Sequence, residues 1–307
     1  MFERAKRRII DRLGVNRVAA HADRLDGELG HLLAGHDQLR AEVEVLRRRV
    51  DELEHGSTWS RVRLASAWAA SAPLLHQPTI SVVMPTRDRS HTLGRAIESV
   101  VAQTYPNWQL VVVDDGSTDD TASVLSAIDD HRVLVERTAG IGAAAARNHG
   151  LGVASGDFVA FLDDDNVMDP GWLRAVAEYT GRHRECAFLY GAQIRESESG
   201  EAHLHVGLSG LHLLYVDPFD SQRLRENNYI DLGVVAVRRD HPELRFDEHL
   251  EIFIDWEMIV RLARSDAPHP LPVLASLYST GASGRITTRP DREERLHELR
   301  ARFAAEA

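Results

Sequence analysis

Between Leu25 and Leu53 the apolar residues recur at alternating steps of four and three: Leu25, Leu29, Leu32, Leu39, Val43, Leu46, Val50 and Leu53, with His36 at the one polar position of the stripe. With Leu25 at heptad position d, every d position is Leu and the a positions are Leu29, His36, Val43 and Val50, a pattern suited to two parallel strands of coiled coil. Glu42 with Arg47, and Arg49 with Glu54, fall at g and the following e, where opposite charges pair between helices. A parallel homodimer is the natural reading. The alternative is one amphipathic helix lying along the rest of the chain, because Gly27, Gly30 and Gly35 each cost ~1 kcal/mol of helix propensity. His36 reads as a register-setting polar residue rather than a metal ligand. Upstream, Lys6, Arg7, Arg8, Arg12 and Arg17 interleave with Phe2, Ile9, Ile10 and Leu13. That makes either a basic amphipathic helix for peripheral contact with an anionic membrane or a solvated helix end.

After Pro78 the period changes. Short β-branched runs at 80–84, 110–113, 133–135 and 158–162 alternate with helical patterns at 91–102, 118–128, 143–153 and 171–179, and a further helix is expected over 255–263. Such alternation predicts an α/β fold, a doubly wound, mainly parallel sheet with helices on both faces, preceded by the N-terminal coiled-coil helix. The ligand of such a sheet sits beyond the carboxyl ends of its strands. Residues 57–78 carry Trp59, Trp68, Pro73 and Pro78 among small residues and read as a linker whose tryptophans dock on the next domain. The division expected is 1–56 dimerising helix, 57–78 linker, 79–284 catalytic domain and 285–307 charged C-terminal helix.

Composition narrows the classes. Of 307 residues 43% are hydrophobic, ample for a core, and the net charge of −11 supplies no cationic face for a nucleic-acid backbone. The single Cys186 cannot form an intramolecular disulfide, and no apolar stretch approaches the roughly 20 residues needed to span a bilayer. The start has a basic flank but no apolar segment or small-residue cleavage site after it. A reducing cytoplasm, or the inner face of its membrane, is the expected location.

The run FVAFLDDDN, 158–166, leads an apolar strand directly into Asp163, Asp164 and Asp165. Three adjacent carboxylates repel one another, and a hard cation such as Mg²⁺ or Mn²⁺ relieves them in a site that also takes substrate phosphates. A solvated acidic turn is the bland alternative. The second acidic strand end, Asp114 and Asp115, favours the metal-bridged diphosphate. Asp115 can accept from the N3–H of a uracil, although the sequence Asp115-Gly116-Ser117-Thr118 also suits a turn in which Ser117 or Thr118 caps a helix. Gly140-x-Gly142-x-x-Ala145, with Asp163 about 20 residues on, has the shape of a dinucleotide fingerprint. A single ribose-binding acid would leave the neighbouring carboxylates unexplained, so that reading is set aside.

PTRDR at 85–89, QTYPNW at 103–108, VVVDDGSTDDT at 111–121, GAAAARNHG at 142–150, GDFVAFLDDDN at 156–166 with Pro170, and Asp255-Trp256 together resemble the family 2 glycosyltransferases of the GT-A fold, in order and in spacing. The resemblance covers about 78–263. It implies an inverting transfer from a nucleoside diphosphate sugar, usually a UDP-sugar, with Mn²⁺ or Mg²⁺ on the diphosphate. Carried over, Pro85, Thr86, Arg87, Asp88 and Asp115 hold the base and ribose, and Arg147 approaches the nucleotide. Asp163 and Asp165 match the family's D-x-D pair. Asp165 is the direct metal ligand, joined by Asp163, with Asp163 or Asp164 on the ribose. Asp255 falls where the family places its base, which takes the acceptor's proton on the face opposite the leaving group. The alternative for Asp255 is a helix N-cap, and Glu257 is the second candidate base. The histidine that family members often place near a tyrosine is absent from Tyr278-Ser279-Thr280-Gly281. Acceptor-binding elements are expected within 195–230, where Asp217-Pro218-Phe219 and Asn227-Asn228-Tyr229 offer polar and aromatic contacts. Two rivals remain: a catalytically silent sugar-nucleotide-binding module, and a sugar-1-phosphate nucleotidyltransferase, whose glycine-rich entry loop is replaced here by PTRDR. Sugar and acceptor are not legible.

Overall fold

The computed structural model describes residues 40, 43, 56–196, 211–215, 218–278 and 291–305. The chain divides into two compact units, 1–55 and 56–307. Of the first, Arg40 and Val43 are helical and exposed. The heptad stripe and the basic segment before it otherwise lie outside the described residues.

The second unit opens with helix α1, 56–71, where a linker is expected from sequence. Ala65, Ala67, Ala69 and Ala70, the strongest helix formers, fall in its second half, and Pro73 ends the run. Val62, Trp59 and Leu213 pack together on one side of α1, and Ala69 joins the main core. Trp59 thus docks on the domain, whereas Trp68 is 62% exposed.

Four parallel strands follow: β1 (Ile80–Thr86), β2 (Trp108–Asp114), β3 (Val133–Arg137) and β4 (Phe158–Phe161), in the order β3-β2-β1-β4. Their connections carry α2 (Ser90–Val101), α3 (Thr121–Ser126) and α4 (Ala143–Val153). Side chains alternate across a strand. Val111 and Val113 of β2 therefore meet Ala146 and Val153 of α4, while Leu110 and Val112 join the main core with Leu93, Ile97 and Val100 of α2. Helices cover both faces, as the alternation predicts. A Cβ on Gly150 would stand 2.6 Å from Val83 Cγ1, so α4 approaches the sheet through a position only glycine fits.

Beyond β4 the sheet becomes mixed. After β5 (Val167–Met168) and α5 (Trp172–Arg182) come β6 (Phe188–Glu196), β7 (Leu211–Leu214), α6 (Ser221–Glu226), β8 (Val235–Arg238), α7 (Ile254–Ser265), β9 (His269–Tyr278) and α8 (Arg292–Ala305). Strand β8 bridges β4 and β6 antiparallel, and β6 pairs with β9 in parallel across a register shift at Ala192. Helix α8 is charged outside but buries Leu299 and Phe303, the latter edge-on to Trp256 at 5.4 Å between ring centres.

Candidate active site

The register that pairs Thr86 with Asp114 sets the loops after β1 and β2 side by side. They are tied by their own carboxylates. Asp88, at φ +52°, accepts from the backbone N–H of Thr118 at 2.7 Å, the Thr118 hydroxyl at 3.1 Å and the Asp119 N–H at 3.3 Å. The Thr118 N–H, first among these bonds, holds the carboxyl below its usual range. Asp88 therefore faces the neighbouring loop and does not line the cleft. Asp115 accepts from the Thr138 hydroxyl at 2.6 Å and from the N–H groups of Ile141 and Gly142 at 2.7 and 2.8 Å. Burial pushes its carboxyl up, but these three bonds outweigh it and the net shift is downward. The amides that a dinucleotide loop would aim at a pyrophosphate are engaged by Asp115, which removes the fingerprint reading of Gly140 and Gly142.

Two adjoining cavities, of about 440 and 450 Å³, lie over the carboxyl ends of β1, β2 and β4 and share Arg147, Asp163 and Tyr278 as a common wall. Pro85, Thr86, Arg87 and Asp115 line the first, with Asp163, Asp164 and Asp165 across from them. Asp255, Asp231, Asn228 and Arg195 line the second. Of the residues expected from sequence to hold nucleotide or metal, only Asp88 lies off the first cavity.

Arg147 is 9% exposed and donates to Asp163 Oδ1 at 2.6 Å. Its Nε is buried and has no hydrogen-bond partner among the described residues. A buried unsatisfied donor on a cation is costly, and an anionic group in the cleft would satisfy it. Asp164, between its two acidic neighbours, is pushed up to about 7 by burial, with the charges of Asp163 and Asp165 adding to the rise and the Thr86 side chain opposing it. Among the described residues no group of three or more His, Cys, Asp or Glu side chains could hold a metal ion. An all-oxygen run with one or two carboxylates facing a cavity fits Mg²⁺ or Mn²⁺ completed by phosphate and water. Asp165 and Asp163, which line the first cavity, are the residues that could hold such an ion.

In the second cavity Phe253, at φ +58°, turns the chain into α7 and leaves Asp255 in the helix's first turn. The N-cap is Phe253, so Asp255 is not there to cap. Asn228 Nδ2 donates to Asp255 Oδ2 at 3.2 Å, while Asn228 Oδ1 is buried without a hydrogen-bond partner among the described residues. Burial raises the Asp255 carboxyl above its ordinary range; the Trp256 N–H, Arg147 and Asn228 oppose this, and the charge of Asp163 reinforces it. A raised carboxylate facing a cavity suits proton transfer. Glu257 is placed elsewhere: it is 2% exposed and bound by Arg261 Nε at 3.0 Å and Arg302 Nη2 at 3.4 Å, and it lines neither cavity. One helical turn cannot aim residues two apart in the same direction.

The structure adds residues that sequence reasoning missed. Asp231 is pushed up to about 6 by burial, against the pull of Arg195 and with the charges of Asp163 and Asp255. Its Oδ1 accepts from Gly233 N–H at 2.8 Å, and Arg195 Nη2 stands 3.6 Å from its Oδ2. Arg195 is itself fixed by Gln193 Oε1 at 2.6 Å and lies over the Tyr278 ring at 5.2 Å. The hint in the sequence is Gln193 and Arg195, polar residues in the second half of β6.

Comparison with known proteins agrees with this geometry. The model of glycosyl transferase family 2 matches residues 81–239, just over half of the chain. The UDP-Glc:alpha-D-GlcNAc-diphosphoundecaprenol beta-1,3-glucosyltransferase WfgD of Escherichia coli is 44% identical over 113 residues, 36% of this chain and 44% of that protein's length. The fold is shared with residues 1–349 of S. aureus TarS in complex with UDP-GlcNAc, at a TM-score of 0.57 and 19% identity over 74% of this chain and 66% of that one. It is shared too with the mannosyltransferase PcManGT from Pyrobaculum calidifontis in complex with GDP-Man and Mn²⁺, at a TM-score of 0.55 and 16% identity over 85% and 76%. The α/β architecture is thus that of the GT-A glycosyltransferases, and the chain belongs to glycosyltransferase family 2.

Proposed function

We propose that this chain is an inverting, metal-assisted glycosyltransferase that moves a sugar from a nucleoside diphosphate sugar, a UDP-sugar, to an acceptor hydroxyl. The first cavity takes the donor, with Asp115 and the 85–87 segment at the nucleoside and Asp163 to Asp165 at the ribose and diphosphate. The second takes the acceptor. The observation that carries the reading is the shared wall: Asp255 lines one cavity and Asp164 and Asp165 the other, with Arg147 and Asp163 common to both, which supports attack from the face opposite the leaving diphosphate.

Asp255 accepts the acceptor's proton as that oxygen bonds to the anomeric carbon. The bond from the anomeric carbon to the diphosphate oxygen breaks, and its electron pair leaves with the diphosphate. Arg147 faces the charge that develops there, and Asn228 holds Asp255 while its unpartnered Oδ1 can accept from a substrate hydroxyl. A divalent ion held by Asp165 and Asp163 would supply further neutralisation of the diphosphate. The heptad stripe supports a dimer through residues 1–55, and the basic segment before it supports peripheral membrane contact. No helix among the described residues is long and apolar enough to cross a membrane.

Incubation with a panel of UDP-sugars and Mn²⁺ tests the reading. UDP should be released, and chelation or Asp165→Asn should suppress the release. Release of a nucleoside monophosphate, or equal rates with chelator, would contradict it.

A further inference from the structure

The charged C-terminal helix lies outside the residues that match the family model. Its buried side, Leu299 and Phe303, is structural. A second stripe, Arg292, Leu296 and Arg300, recurs every four residues and lines the acceptor cavity. The deep cations of that cavity are already matched: Arg147 pairs with Asp163, and Arg195 faces Asp231. The two helix arginines are not matched in this way. Arg292 meets Glu293 at 3.2 Å, but that glutamate is 84% exposed, so the pair is weak in water. Its guanidinium also lies over the Phe253 ring at 5.4 Å, which aims it along the cavity wall. Arg300 donates to the Glu226 backbone carbonyl at 2.5 Å, closing the short helix α6, and makes no ion pair among the described residues. A guanidinium has five N–H donors, so this bond leaves most of Arg300 available. The cavity therefore carries carboxylates at Asp255, Asp231 and Glu251 and, on α8, two guanidinium groups whose partners are an exposed glutamate and a backbone carbonyl.

We propose that the acceptor is a phosphate-bearing saccharide, its reacting hydroxyl directed to Asp255 and its phosphate or diphosphate held by Arg292 and Arg300. The two Cα atoms are about 12 Å apart along the helix, with Leu296 between them, so the pair suits an extended glycosyl diphosphate or two contacts on one chain. Arginine favours phosphate through paired N–H donors. The proposal rests on the second cavity being the acceptor side.

The test uses the full chain saturated with UDP and Mn²⁺. Calorimetry compares a panel of hexose and N-acetylhexosamine 1-phosphates with the corresponding methyl glycosides, and with a glycosyl diphosphate on a short prenyl chain. Wild type should bind phosphate-bearing members at least about tenfold tighter than their methyl glycosides. Arg292→Gln/Arg300→Gln should erase that preference, and Arg292→Lys/Arg300→Lys, which keeps the charge, should retain part of it. A further gain from the prenyl chain indicates a lipid-linked source and equal affinity a soluble one; either outcome upholds the phosphate. No preference in wild type, or a preference untouched in the glutamine variant, overturns the proposal. UDP affinity, read in the same samples, reports on the donor side: its loss in the glutamine variant would move the arginines there and overturn the proposal, and its absence in wild type would sink the donor reading while the phosphate preference still answers for the arginines.

Discussion

Asp255 and Asp231 share one cavity and are both raised by burial, yet they answer to different neighbours. Asn228 donates to Asp255, which leaves that carboxylate oriented toward the cavity. Replacing the base removes proton acceptance but little donor contact, so Asp255→Asn should lower transfer by ~10²- to 10⁴-fold with UDP affinity close to wild type. Because the base works deprotonated and its pKa is raised, the wild-type rate should fall as pH drops through a value above the ordinary carboxylate range. An acid limb near the unperturbed value would show that Asp255 is not the titrating base. Asp231 gives a stability signature instead. Its folded pKa of about 6 lies above the unfolded one, so the folded state holds the proton more tightly and stability is lost as pH rises from about 4 through 6. Its share of the loss should reach up to ~3 kcal/mol and be missing from Asp231→Asn, which keeps only the share of the other raised carboxyls, Asp164 and Asp255. Denaturant midpoints of the two proteins at pH 4.5 and 8, roughly bracketing that window, check the sign; parallel pH profiles would refute it. Asp255 was singled out in the sequence through the resemblance carried by Asp255-Trp256, and the structure sets it on a cavity wall. Asp231 was not, because nothing local marks an acid that precedes a short turn and whose meaning comes from Arg195 on the distant strand β6.

At the scale of elements, the parallel half of the sheet follows from local pattern. The β-branched runs and amphipathic helices between Pro78 and Tyr179 place four strands and three crossover helices within a few residues of where they form. Strands β1, β2 and β4 are buried between helices and so read as nearly continuous apolar runs, while the edge strand β3 is only partly covered. The mixed half was illegible for a converse reason. Strands β6 to β9 pair across long sequence separations, and β6 carries Gln193 and Arg195 toward the site in place of apolar alternation. Alanine misled in 57–78, where small side chains suggested a linker and helix propensity with a docked Val62 prevailed. Helix α4 packs closely on β1 at Gly150, where a Cβ would stand 2.6 Å from Val83 Cγ1. Gly150→Ala should destabilise by about 1 to 3 kcal/mol through overpacking, and the helix that carries Arg147 should shift with it. Chemical denaturation with UDP titration reads both; a stable variant with unaltered UDP affinity would show that the helix yields freely.

Across the whole molecule, the two adjoining cavities and helix α8 all belong to the unit 56–307. The heptad seam belongs to the other unit. Removing residues 1–55 should therefore turn a dimer into a monomer in light scattering while UDP affinity stays near wild type. A truncated protein that remains dimeric would place the interface in the catalytic unit. The central claim, inverting displacement at the anomeric carbon with Asp255 opposite the diphosphate, has a stereochemical readout that needs no knowledge of the acceptor, because water can take its place. A reactive UDP-α-sugar followed by proton NMR with Mn²⁺, before mutarotation equilibrates the product, should show the β-anomer and UDP appearing first; first appearance of the α-anomer would contradict the account.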